Sequence, residues 1–140
     1  MHSKLNNIIE KQSETYRPLI LVVDNDYDNL LLASYVIESL GMAFVFTDKS
    51  EECLNLVEKL LPDVVLLDIV MPKVDGLALA RSIRQNKNTA HIPIIAITGL
   101  TRPEDIEKIV EAGCNSYLCK PYLLEDLELK LYAYLKRPLI

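Results

Sequence analysis

The sequence predicts an α/β domain built on one parallel sheet, and a few observations carry that reading. Short apolar runs of strand length alternate with segments of helical period five times along the chain. The run from Val64 to Leu67, enclosed by Pro62 and Pro72, is apolar at every position rather than at alternate ones. That is the pattern of a strand buried on both faces, hence of a parallel sheet. Four of the runs end on polar side chains: Asp24, Asp68, Thr98 and Lys120.

Taken in order, residues 1–17 form a polar N-terminal extension with Leu5, Ile8 and Ile9 at helical spacing. It precedes a domain expected over 18–138. The first strand, 19–23, ends on Asp24-Asn25-Asp26. A helix is expected over 28–40, with apolar residues at 30, 33, 37 and 40, 32 and 36 beside them, and Gly41 as its stop. The second strand covers 42–47. Ser50, with Glu51 and Glu52 in the first turn, is expected to open a helix that closes before Pro62. The central strand follows, and then a helix over 76–85 that buries Leu79, Ala80 and Ile83.

Residues 86–91 read as a polar loop, and His91 has no partner at metal-ligand spacing. Strand 93–97 ends on Thr98-Gly99. Pro103, Glu104 and Asp105 suit the first turn of a helix carrying Ile106, Ile109 and Val110 and capped by Gly113. Strand 116–119 ends on Lys120-Pro121, and a last helix is expected over 123–136 with a stripe at 124, 127, 131 and 135.

Composition narrows the function. A chain of 140 residues fits a single core. A net charge of −5 argues against a nucleic-acid surface, which needs clustered Lys and Arg. No apolar run approaches the roughly 20 residues of a membrane span, and no secretory signal is visible. Cys53, Cys114 and Cys119 are odd in number and lack metal or redox spacing, so reduced thiols and a cytoplasmic location are expected.

The common doubly wound order for five strands, 2-1-3-4-5, gives a flavodoxin-like three-layer sandwich. It makes strands 1, 3, 4 and 5 neighbours and gathers the four polar residues on one rim, at the switch point where such sheets bind their ligands. Asp24 and Asp68, with Asp26 as a further candidate, repel one another unless a hard cation such as Mg²⁺ neutralises them. A carboxylate can act as nucleophile and become an aspartyl phosphate. A transferring phosphoryl group needs partners for its oxygens: charge from Lys120, a hydroxyl from Thr98, and backbone N–H groups after Asp68.

Together, LILVVDND around Asp24, VVLLDIVMPKVDG around Asp68, IIAITG at Thr98 and SYLCKPY at Lys120 resemble the receiver domain of two-component response regulators, in its stand-alone, chemotaxis-regulator-like form. The resemblance implies that Asp68 is the phosphoacceptor and that Asp24, Asp68 and the carbonyl of Val70 hold Mg²⁺, with Asn25 or Asp26 as further candidates. It makes Lys120 the phosphoryl salt-bridge partner, Thr98 the switch hydroxyl and Tyr117 the aromatic that reports the state. It also implies a cis Lys120-Pro121 bond. The donor would be a histidine kinase or a histidine phosphotransfer protein. The output would be a partner protein, or a second copy in a homodimer, bound through the fourth helix, fifth strand and fifth helix. With the fold expected over 18–138, no DNA-binding or enzymatic output domain is expected.

Three positions depart from the family pattern. Asn25 stands where a second acid is usual; it keeps a carbonyl oxygen but not the charge, so weaker Mg²⁺ binding is expected. Val70 and Leu100, two residues beyond Asp68 and Thr98, are apolar and offer no hydrogen bond to an attacking water. Slow self-dephosphorylation is therefore expected.

The alternative reading is a pseudo-receiver that binds partners without phosphorylation, supported by Asn25. An aspartyl-phosphate hydrolase would need an acid at Val70. A flavin carrier would need a Ser/Thr/Gly-rich loop after the first strand.

Overall fold

The computed structural model describes residues 17–135. The expectations for the N-terminal extension, and for the end of the last helix and of the domain, fall largely outside them. Five strands form one parallel sheet: β1 (Leu19–Val23), β2 (Ala43–Thr47), β3 (Val64–Asp68), β4 (Ile94–Thr98) and β5 (Ser116–Cys119). Their order is β2-β1-β3-β4-β5, with every pair parallel. Helices α1 (Tyr27–Ser39), α2 (Cys53–Leu60), α3 (Gly76–Gln85), α4 (Pro103–Glu111) and α5 (Leu124–Leu135) make the connections. This is the doubly wound, three-layer α/β sandwich that the alternating pattern predicts.

The sheet separates two apolar layers. Leu21, Val23, Val65, Leu67, Ile94 and Ala96 face a core shared with α2, α3 and α4. Ile20, Val22, Val64, Leu66, Ile95 and Ile97 face a core shared with α1 and α5. Every residue of β3 is buried, which explains its unbroken apolar run.

Several boundaries differ from expectation for local reasons. Ser50 does not cap α2; residues Ser50–Glu52 form a 3₁₀ turn, and Thr47 organises it, accepting from Lys49 N–H and donating to Glu52. Leu32 and Val110 are exposed. On α1 the buried face is Leu30, Ala33, Val36 and Ile37. In α4, Ile109 is the buried aliphatic, with Ile106 packed beside it. Leu124 of α5 is also largely outside, whereas Leu127 and Leu131 are buried.

Candidate functional site

The carboxyl ends of β1, β3, β4 and β5 form one rim, and side chains distant in sequence converge there. Asp68, the last residue of β3, is 1% exposed. Its Oδ2 accepts from Lys120 Nζ at 2.9 Å, across 52 positions of sequence. Its Oδ1 accepts from the backbone N–H of Val70 at 3.0 Å. Lys120 follows β5, and its backbone N–H donates to the carbonyl of Thr98 at 2.7 Å, so the ends of β4 and β5 are tied together. The Lys120-Pro121 peptide is cis.

Asp24 lies beside this pair, also 1% exposed. Its Oδ1 accepts from Asp26 N–H at 2.9 Å. Its Oδ2 has no hydrogen-bond partner, and Lys120 Nζ stands 4.0 Å away. Burial, reinforced by the negative charge of Asp68, raises the Asp24 pKa above the ordinary aspartate value. Two buried carboxylates thus share one ammonium, and one carboxylate oxygen is left without a donor. That deficit fits a hard divalent cation with oxygen ligands. Among the described residues, no cluster of three or more His, Cys, Asp or Glu side chains could hold a metal. Further protein ligands would therefore be carbonyl oxygens, such as that of Val70.

Asn25 and Asp26 are both exposed. Asp26 serves the fold, since its side chain accepts from Asp28 N–H and Asn29 N–H and caps α1. Asp75 caps α3 in the same way through Leu77 N–H. Thr98 is fully buried, and its hydroxyl is engaged with the next loop, accepting from Leu100 N–H at 2.9 Å. A Cβ added to Gly99 would meet nothing within 4 Å, so that loop leaves open space beside the rim. Val70 and Leu100 are 57% and 47% exposed. Tyr117 is 37% exposed, turned outward from the sheet edge.

Two features were not visible in the sequence. A Cβ on Gly76 would overlap Ile69 and come 2.9 Å from the carbonyl oxygen of Asp68, so the start of α3 presses directly on the loop after Asp68. The hydroxyl of Tyr122 is buried without a partner. Burial pushes its pKa up to about 12, with the charge of Asp24 adding to the effect. Only the KPY triplet could have pointed to Tyr122, and it does not reveal which way the ring faces.

The sheet order places the chain among doubly wound α/β domains, and its carboxylate-and-lysine rim distinguishes it from those that cradle a flavin in a hydroxyl-rich loop. The chain belongs to the response regulator receiver domain family, whose model matches residues 20–132. It is 33% identical over 132 residues, 94% of this chain, to the probable transcriptional regulator ycf27 of Guillardia theta, and spans 50% of that protein's length. It is 32% identical over 102 residues, 73% of this chain, to the polar-differentiation response regulator DivK of Brucella ovis, covering 83% of it. Among solved structures, the receiver domain of the sensor histidine kinase PA1611 from Pseudomonas aeruginosa PAO1 superimposes with a TM-score of 0.79 at 28% identity. The match covers 86% of this chain and 99% of that one, which holds a magnesium ion coordinated in its active-site cleft. Among the described residues no helix is long and apolar enough to cross a membrane.

Proposed function

We propose that this chain is a cytoplasmic phosphoacceptor switch, with a receiver domain over 18–138 following the 1–17 extension. Asp68 would take a phosphoryl group from the phosphohistidine of a histidine kinase or a histidine phosphotransfer protein. The observation that carries the reading is the Asp68–Lys120 ion pair beside the unpartnered oxygen of buried Asp24.

In the transfer, a carboxylate oxygen of Asp68 forms a bond to phosphorus as the bond from phosphorus to the donor's imidazole nitrogen breaks; that nitrogen takes the electron pair. Lys120 meets charge on the transferring group, and Val70 N–H, already aimed at Asp68, is a donor for its oxygens. Asp24, Asp68 and the Val70 carbonyl would hold Mg²⁺, with Asn25 as the weaker neighbour. When bound, Mg²⁺ neutralises the acidic pair and stabilises charge on the phosphoryl oxygens.

The same positions provide the switch. Thr98 spends its hydroxyl on Leu100 and would be drawn to a phosphoryl group on Asp68. Tyr117 is the register partner of Ala96, which shares a face with Thr98 by strand alternation. An inward turn of the Tyr117 ring would follow the movement of Thr98 and alter the surface made by α4, β5 and α5. That surface would bind a downstream protein or a second copy of the chain.

The test is intact-mass spectrometry after incubation with acetyl phosphate, with Mg²⁺ or with EDTA. A single phosphoryl adduct is expected only with Mg²⁺ and not in Asp68→Asn. If histidine-kinase donors also fail to label Asp68, the chain is instead a phosphorylation-independent interaction module.

A further inference from the structure

We infer that Lys130 is a positioning residue for Tyr117, holding its ring in the outward position and so setting how readily the domain switches. This rests on the switch role proposed above for Tyr117, and goes beyond it by naming what opposes the inward turn. Lys130 lies on α5, and its ammonium donates to the Ser116 hydroxyl at 2.6 Å. From there Nζ stands over the Tyr117 ring, 5.9 Å from its centroid. The serine fixes the ammonium, and the ammonium faces the ring, within the range where a cation is attracted by the π-face. Tyr117 and Lys130 also line one open groove, with Pro121, Leu123 and Leu129.

The contact with Lys130 exists only while the ring is outward. An inward turn forfeits it. Phosphorylation, or a ligand that mimics it, must supply that difference, so the contact lowers apparent affinity for the mimic. Removing the cation should favour the inward ring without touching Asp24, Asp68 or Lys120.

The test uses beryllofluoride with Mg²⁺ as the phosphoryl mimic, and 3-fluorotyrosine labelling with the Tyr117 signal assigned by Tyr117→Phe. Lys130→Met should tighten beryllofluoride by about two- to fivefold and shift the Tyr117 fluorine signal in the unliganded protein. Ser116→Ala, which frees the ammonium, should move both readouts the same way to a smaller extent. Lys130→Arg should leave affinity at or below that of the wild type. In a Tyr117→Ala background the gain from Lys130→Met should vanish.

An unchanged Tyr117 signal in Lys130→Met, or an affinity gain that persists without Tyr117, overturns the inference. Failure of the wild type to bind beryllofluoride would instead overturn the acceptor role of Asp68. The fluorine signal, read without ligand, still decides the part played by Lys130.

Discussion

Asp24 is held where water hardly reaches it, with one oxygen lacking a donor. Its raised pKa means that the folded chain binds more protons than the unfolded chain in the window between 3.8 and the raised value. The destabilisation from this group is therefore fully present above the folded pKa and is lost as pH falls through it. Asp24→Asn should raise stability in EDTA at pH 7 by about 0.5–2 kcal/mol, as relieving a strained functional site commonly does. It should also abolish the rise in melting temperature expected from Mg²⁺ in the wild type. Thermal melts over a pH series from 7 down toward 3.8, with and without Mg²⁺, check both effects, and the gain from the substitution should shrink as pH falls through the raised value.

Val70 and Leu100 stand at the same rim with exposed apolar side chains. Neither can orient a water toward an acyl phosphate. Replacing them as Val70→Asn with Leu100→Glu should shorten the half-life of the phosphorylated protein by about tenfold or more, the scale on which positioned acid–base groups act. Decay followed by mass spectrometry measures it directly.

At the scale of the element, termini were easier to read than faces. The helix expected over 76–85 is α3, and the structure begins it at Gly76. Asp75 caps it, and Gly76 admits the close approach of the Asp68 loop. The outer face of α1 was harder. Tyr27, Leu31, Leu32 and Tyr35 are all exposed, so the helix is apolar on more than its core side, and periodicity alone could not say which side packs.

The end of α2 shows a compromise. Leu61 adopts a left-handed conformation, φ 47°, as the cap of the helix, although its Cβ disfavours that geometry. Its side chain is half exposed and supplies no core packing. Leu61→Gly should stabilise the domain by about 1 kcal/mol, readable as a higher urea midpoint with unchanged slope.

Across the whole molecule, Arg84 ties distant segments together. From the end of α3 its guanidinium donates to the carbonyls of Gly113, Ala90 and Ile92 at 2.8, 3.1 and 2.6 Å, and to the Asn115 side chain. Asn115 in turn accepts from Ile94 N–H. One side chain thus connects α3, the entry to β4 and the turn before β5. Gly113 is constrained by the same contact: its φ is +96°, and a Cβ there would come 2.6 Å from the Arg84 Cγ. Arg84→Met keeps most of the aliphatic stem but leaves several carbonyls without their donor. It should cost about 2–4 kcal/mol of unfolding free energy, measured by urea denaturation.

The alternation of strands and helices, the burial of β3 and the residues that end each strand were all legible in the sequence. These are local properties: side-chain period follows backbone geometry, and a strand ends in polar residues where it leaves the core. Sheet order was inferred from what is common and is now observed. Asp26 was open from the sequence to either a metal-site role or a cap on the first helix, and the structure gives it the cap. The pairing of Lys120 with Asp68 and the unpartnered oxygen of Asp24 could not be read the same way. Nor could the seat of Lys130 on Tyr117. Each depends on where side chains from separate elements end up relative to one another, and that position is set only when the two apolar layers pack against the sheet. The chain's order of polar and apolar residues determined the sheet and its rim, and tertiary packing decided which polar atoms on that rim were satisfied and which were left for a ligand.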